Sequence, residues 1–342
     1  MKHIAYFQNW GLGDIVMTLP ALAELRRLYP QAKLSLIVRG GAQKALLQGN
    51  PLVDQVIAMP PRADKPALLR FFLSLRKERF DVAFIGTRIA PVLPFLIRTL
   101  SGVSEIVGDG RKAQRLYSHL VPFVDGRHRV DQMRAAVAQY SGATLAPVRF
   151  PLAIDAADEA AADAKLVELG LARGSYAVIH AGSSVTAGTD KRMPAEIVRR
   201  VVEGVRAIRP DIAIAMLFGP DEMELVEQYA PYAQRYVSVT GTSLPVTQSI
   251  LRSARIFVGT DSAPGHLAAA FGVPTITVAG PTKPLETAPW GPLAQVVTRP
   301  DPLECQPCWG TQNYGNCPFG IRCMHDLPVD RIIGQIVAAF SS

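Results

Sequence analysis

The run Asn9-Trp10-Gly11-Leu12-Gly13-Asp14-Ile15 follows a short apolar stretch, Ile4–Phe7, and leads into a helical pattern. It imitates the start of a dinucleotide fingerprint. The third small residue is missing, because Val16 holds its position, and Asp14 would face the pyrophosphate that such a helix start binds. Gly11 and Gly13 read better as room for close approach by another group, with Asp14 as an acid or base; the alternative is an Asp that caps the helix. A second set is His180-Ala181-Gly182-Ser183-Ser184 with Lys191-Arg192-Met193-Pro194. Hydroxyls, backbone amides and an ammonium suit a diphosphate, although GxxxxGK[ST] is absent, so this is no P-loop. His180 alone reads as a hydrogen-bonded core histidine, and the basic pair could be merely solvated. A third set is Gly259-Thr260-Asp261-Ser262-Ala263-Pro264-Gly265-His266. Here Ser262 and His266 could share one side, or Asp261 or Ser262 could be a cap. Gly280-Pro281-Thr282-Lys283-Pro284 reads alone as a turn.

All the cysteines fall in one segment: Cys305, Cys308, Cys317 and Cys323, spaced C-x2-C-x8-C-x5-C. Thiolate ligation of zinc or iron is one reading and a loop of buried free thiols the other. The spacing departs from the paired CxxC template, and both readings stand.

Strand and helix patterns alternate around these motifs. Strand-like runs lie at 4–7, 34–38, 56–59 and 82–85, with helical spacing at 15–29, 42–48, 68–77 and 92–100. Pro20 falls near the first turn of the helix read at 15–29, where proline is tolerated. The pattern breaks at Pro147–Pro151, and 153–171 reads as a solvent-exposed linking helix. A second series then runs through strands at 176–180, 212–218, 236–239, 256–259 and 275–278. Its helices are at 195–208, 223–229, 246–253, 265–271 and 329–341. This predicts α/β architecture: two doubly wound, Rossmann-like domains facing each other across a cleft, with motifs at strand ends. The expected division is 1–152, a linking helix 153–172, and 173–328 with the cysteine tail; the C-terminal helix, 329–342, could pack back on the first domain.

The net charge of +7 is unevenly divided. Residues 1–150 hold 21 Lys/Arg and 10 Asp/Glu, hence +11, and the remainder 15 and 19, hence −4. The first half is therefore expected to meet an anionic partner. Nucleic acid is not expected, since no recognition helix or aromatic platform accompanies the charge. No signal-peptide core follows Lys2, and the most apolar stretches are broken by Pro and Gly, so a cytoplasmic protein is expected.

Taken together, Gly11-Leu12-Gly13-Asp14 with Thr18-Leu19-Pro20-Ala21-Leu22, Asn50-Pro51-Leu52-Val53-Asp54, Lys191-Arg192-Met193-Pro194, Asp261-Ser262, His266-Leu267-Ala268, Gly272-Val273-Pro274, Gly280-Pro281-Thr282 and the cysteine tail resemble glycosyltransferase family 9 nearly end to end. These are the heptosyltransferases of lipopolysaccharide core assembly. The resemblance implies a GT-B fold and inverting transfer from ADP-L-glycero-β-D-manno-heptose, with the donor in the C-terminal domain. It implies an anionic, lipid-linked core acceptor carrying Kdo or heptose on lipid A, against the N-terminal domain. Asp14 matches the general base. Ser183, Ser184 and Lys191 match diphosphate positions, Glu222 an acid near the ribose, and Asp261, Ser262 and His266 the segment holding the sugar and phosphates. No cofactor is implied for the chemistry. Acceptor contacts would come from Arg62, Lys65, Arg88, Arg111, Lys112 and Arg115, and basic clusters could meet the inner face of the inner membrane. The sequence departs from the family pattern at Met193 (Trp), Ala263 (Gly), Ala279 (an aromatic) and Lys283 (Asp). Three of these lie by the donor site and bear on the donor's sugar or nucleotide. The alternatives are a member using another nucleotide sugar, a heptosyltransferase acting on autotransporter proteins, whose chains are longer and carry an iron-binding cysteine finger, and, in another class, a non-enzymatic sugar or nucleotide binder.

Overall fold

Runs such as Ile4-Ala5-Tyr6-Phe7 and Ala177-Val178-Ile179 have no polar face, which suits strands of a parallel sheet covered by helices on both sides. The computed structural model, which describes residues 1–47, 49–86, 90–109, 113–185 and 188–341, bears this out. All paired strands are parallel. The chain divides into two units, Met1–Ala153 and Ile154–Ser342.

The first unit runs β1 (His3–Gln8), α1 (Leu12–Leu28), β2 (Lys33–Val38), α2 (Gly41–Leu47), β3 (Gln55–Ala58), α3 (Lys65–Ser74), β4 (Val82–Ile85), α4 (Val92–Leu100), β5 (Glu105–Gly108), β6 (His119–Leu120) and α5 (Arg129–Ser141). Its sheet order is β3-β2-β1-β4-β5-β6. Helix α1 begins three residues earlier than the spacing predicts, so Pro20 sits in its interior rather than its first turn. Burial of Ile15, Val16, Leu19, Leu22 and Leu25 holds the helix together despite the lost backbone donor.

The second unit runs α6 (Ala156–Glu168), β7 (Tyr176–His180), α7 (Ala195–Ile208), β8 (Ala213–Leu217), α8 (Met223–Tyr229), β9 (Val237–Val239), α9 (Leu244–Arg252), β10 (Ile256–Thr260), α10 (Ala263–Ala270), β11 (Thr275–Val278), α11 (Pro284–Thr287), β12 (Ala294–Val297), α12 (Arg322–His325) and α13 (Val329–Ala339). Its sheet order, β12-β11-β10-β7-β8-β9, repeats the topology of the first. Both are the doubly wound order in which ligands bind beyond the strand ends, where the winding reverses. That point lies between β1 and β4 in one unit and between β7 and β10 in the other.

Two helices differ from expectation. Helix α6, expected as an exposed linker, buries Ala162 and Leu166 against α9, and its Glu159 accepts from Ser249 Oγ (3.0 Å) and Arg173 (2.9 Å). The alanine-rich sequence hides how narrow this apolar stripe is. Helix α13 places Ile332, Ile333 and Ile336 in the second unit's core on α7, not on the first domain. Among the described residues no helix is long and apolar enough to cross a membrane.

Candidate active site

In the first unit the motif lies at the carboxyl end of β1. Gly11 is the N-cap of α1, and Asp14 stands in its first turn beside Gly13. Asp14 is therefore not the cap; its carboxylate serves elsewhere. Oδ1 accepts from Arg129 Nη1 at 2.5 Å, with the two side chains 18% and 6% exposed. Arg129 opens α5, which packs along α1 and is capped by His128, whose Nδ1 accepts from Val130 N. Arg129 Nε is buried with no protein hydrogen bond, as are Gln8 Oε1 and Asn9 Oδ1 on the adjoining strand end. Buried polar atoms left unpaired are costly, about 1–3 kcal/mol each, and Arg129 Nε, in the side chain that pairs with Asp14, leaves a donor open to a polar ligand.

In the second unit the motifs meet at the ends of β7, β8 and β10. His180, the last residue of β7, is buried and uses both ring nitrogens. Nδ1 faces Ser262 Oγ at 3.1 Å and Nε2 faces Glu222 Oε2 at 3.1 Å. Glu222 Oε2 also accepts from Gly219 N at 2.8 Å. A Cβ at position 182 would lie 2.1 Å from Glu222 Oε1, so the carboxylate fits only because residue 182 is glycine. Lys191 Nζ donates to the Asp261 carbonyl at 2.8 Å. The Asp261 carboxylate faces His266 Nε2 at 3.6 Å and accepts from Thr287 Oγ1 at 3.0 Å. Burial pushes the Asp261 carboxyl up, but His266, Lys191 and Thr282 outweigh it and hold it below the ordinary carboxylate range. Burial likewise opposes, and His180, the Gly219 amide and Arg192 together overcome it, so that Glu222 is also depressed. Both acids are thus held as buried anions among fixed donors. Ser183 is buried, its Oγ donating to Gly188 O at 3.0 Å, and Ser184 is exposed on the same loop.

The structure thus brings six of the expected donor residues, and His180 with them, to one strand-end cluster. Of the expected acceptor residues, three are described. Arg62 and Lys65 are exposed at the start of α3, and Arg115 is exposed in the short turn Gln114–Leu116. Arg88, Arg111 and Lys112 lie outside the described residues. Sequence reasoning missed Arg129, whose partner is 115 residues away. The apolar spacing Val130, Met133, Val137 behind His128 could have disclosed the helix, though not the ion pair.

Of the departures from the family pattern, Met193 and Ala279 are buried. Lys283 donates to the buried Glu286 at 3.2 Å. The cysteine tail lines the turn after β11: Gln306 Nε2 donates to Gly280 O (2.8 Å), and the Cys308 and Trp309 amides to Pro281 O (3.0 and 2.9 Å). Cys308 and Cys323 are buried. Burial, then the neighbouring cysteines, raises both thiols, Cys323 to about 11. Among the described residues no three His, Cys, Asp or Glu side chains stand together so as to hold a metal ion. As placed, the tail does not fit zinc or iron.

The sequence model described as "Glycosyltransferase family 9 (heptosyltransferase)" matches residues 69–317. Lipopolysaccharide heptosyltransferase 1 of Pseudomonas aeruginosa is 25% identical over 311 residues, covering 87% of this chain and 83% of that protein. The solved ADP-heptose lipopolysaccharide heptosyltransferase II of E. coli superposes with a TM-score of 0.75 at 18% identity, over 99% of this chain and 98% of that one. The iron-containing dodecameric glycosyltransferase TibC of enterotoxigenic E. coli gives 0.59 at 14%, over 99% of this chain and 76% of that one. The fold is GT-B.

Proposed function

Because the chain belongs to glycosyltransferase family 9, the heptosyltransferases, we propose that it transfers a heptose from ADP-L-glycero-β-D-manno-heptose to a hydroxyl of the lipopolysaccharide inner core, with inversion. The acceptor is anionic, carrying Kdo or heptose on lipid A, and the reaction takes place on the cytoplasmic side of the inner membrane. The reading is carried by the cluster of Lys191, Glu222, Asp261, Ser262 and His266 at the second unit's strand ends.

An inverting displacement needs a base for the attacking hydroxyl and cationic help for the departing diphosphate. In this reading the acceptor oxygen forms a bond to the anomeric carbon as the bond to the ADP β-phosphate oxygen breaks. The hydroxyl proton passes to Asp14, and the electron pair leaves with ADP. Arg129 engages Oδ1 of Asp14, which leaves Oδ2 for the hydroxyl. A Cβ at Gly11 would lie 3.6 Å from Oδ2, so a larger residue there would cover that oxygen. Lys191, with Ser183 and Ser184, takes the diphosphate. The ionised Glu222 accepts from the ribose hydroxyls, and Ser262 and His266 meet the phosphates and sugar. None of these steps is routed through a metal. A panel of nucleotide sugars offered with truncated core acceptors, with products read by mass spectrometry, tests the reading. A heptosylated core from ADP-heptose is expected. Transfer only from another donor would overturn the donor assignment, and tight binding of free sugar without transfer would overturn the activity.

A further inference from the structure

The outward sides of α3 and α4 have a composition that water does not favour. Both helices pack on one face of the first sheet, burying Phe72, Leu93 and Ile97 in a shared core. Their ends are fastened side by side: Arg76 donates to the carbonyls of Leu100 (2.7 Å) and Thr99 (3.1 Å), and Ser101 Oγ to that of Phe72 (3.0 Å). An ordinary surface helix turns charged and polar residues of both signs to solvent. Here the outward positions hold Leu69, Leu73, Val92 and Phe95, which are 43–58% exposed. The only charged side chains on the two helices are Lys65, Arg70 and Arg98, all exposed, and Arg76, Lys77 and Arg79 follow α3 directly. Neither helix contains a carboxylate. The two acids that flank α3 are engaged: Asp64 caps it by accepting from Ala67 N, and Glu78 pairs with Lys33 at 3.0 Å.

We propose that this α3–α4 face docks the first unit on an anionic lipid bilayer. Leu69, Leu73, Val92 and Phe95 enter the acyl boundary, and Lys65 and Arg70 stay among the headgroups, where their long stems reach anionic phosphates, while Arg98, which donates to Ser104 O (2.9 Å), adds its charge beside them. Charge complementarity selects this occupant. A second copy of the same face would set arginine against arginine with no acid to pair. An acidic protein would satisfy the cations but would not need a fringe of half-exposed aliphatic residues carrying no hydrogen-bonding group. The assignment agrees with a lipid-linked acceptor but does not depend on it, and it is tested without either substrate.

Sedimentation with vesicles of equimolar phosphatidylcholine and phosphatidylglycerol is the experiment. The wild-type protein is expected to bind these and not vesicles of phosphatidylcholine alone. Leu73→Ser combined with Phe95→Ser is expected to lower the partition coefficient at least ~10-fold, and Arg70→Glu about 5- to 10-fold with a weaker salt dependence. Transfer to a soluble truncated acceptor should be unchanged in all of them. Should the double serine variant unfold, Arg70→Glu and the wild-type salt titration read the same surface. Absence of vesicle binding by wild type, or equal binding by the variants, overturns the proposal. So does a wild-type dimer in solution that the serine substitutions dissolve, which would make a second copy the occupant.

Discussion

The two units have the same sheet order, yet their strand ends are furnished differently. The first places one carboxylate, Asp14, against one arginine and leaves Arg129 Nε, Gln8 Oε1 and Asn9 Oδ1 buried without protein partners. In the second, His180 joins Glu222 to Ser262, and Lys191 and His266 converge on Asp261, while Arg192 Nε stays buried without a protein hydrogen bond. Topology fixes where a ligand can bind, and the loops decide what chemistry occurs there. A unit whose anions are already held by fixed donors has paid its ordering cost in advance, as suits a nucleotide that must be gripped in one pose.

This contrast makes Asp14→Asn the most damaging change to transfer and Lys191→Ala the most damaging to donor binding. Loss of a general base removes about 10²–10⁴ in rate, so Asp14→Asn is expected to lower kcat at least ~10³-fold while ADP affinity, read by calorimetry, stays at the wild-type value. The substitution also strands Arg129, and breaking a buried ion pair costs about 3–5 kcal/mol, so turnover must be compared well below both melting temperatures. Normal turnover there would remove Asp14 from the base role. Lys191→Ala removes a charged donor worth about 1.5–3 kcal/mol, or roughly 10- to 100-fold in the Kd of the ADP-sugar. An unchanged Kd would break the assignment of the diphosphate to the second unit.

Much of this contrast can be read in the sequence, though unevenly. β7, α7, α8 and β11 are bounded by composition alone, because each is a clean apolar run or a 3.6-residue stripe. β5, β6, α5 and β12 escape such a reading. β6 has two residues, β5 and β12 mix an exposed polar residue (Glu105, Gln295) into a four-residue run, and α5 carries polar residues between its buried ones. The motif residues at β7, β8 and β10 can be found because each lies in the loop or first helical turn that follows a strand. That His180 ties two of these loops together cannot, since its partners lie 42 and 82 residues away. Arg129 is hidden for the same reason: a buried ion pair belongs to the packing of α1 on α5, and nothing local to either residue announces it.

His180 sharpens the comparison further, because the first unit has no described counterpart that bonds two strand-end loops. His180→Phe would leave Ser262 and Glu222 each short of a partner, at a cost of about 1–3 kcal/mol per buried group. It should lower the second unit's melting temperature and weaken ADP binding while kcat at saturating donor changes little. His180→Gln, which can still donate to Glu222, should recover part of the affinity. If His180→Phe kept wild-type stability and affinity, the histidine would be filler. The acids add a dependence on pH. Glu222 and Asp261 are depressed below their unfolded values, about 4.3 and 3.9. Their stabilisation is complete above those values and is lost as pH falls through the lower folded ones. Glu222→Gln should therefore flatten the acid limb of the second unit's stability profile, and an unaltered limb would show that the carboxylate is not held as described.

The smallest effect is expected where the second unit has something the first lacks, the cysteine tail. If its thiols are packing groups beneath the Gly280–Thr282 turn, prolonged chelation should leave the melting temperature unchanged, and protein purified without a metal-binding tag should carry no stoichiometric zinc or iron. Serine at the half-buried Cys305 or Cys317 should then shift stability by no more than about 0.5 kcal/mol. Serine at Cys323, buried against the turn, should cost about 1–3 kcal/mol, because a hydroxyl there would be dehydrated without an assured partner. A metal site would reverse this graded pattern: chelation would lower the melting temperature, and all three substitutions would act alike, since each would remove one ligand from the same ion. The half-buried and buried cysteines thus provide an internal control. Equal losses at Cys305 and Cys323, rather than loss at either one, would turn the tail from packing into a metal-held clasp.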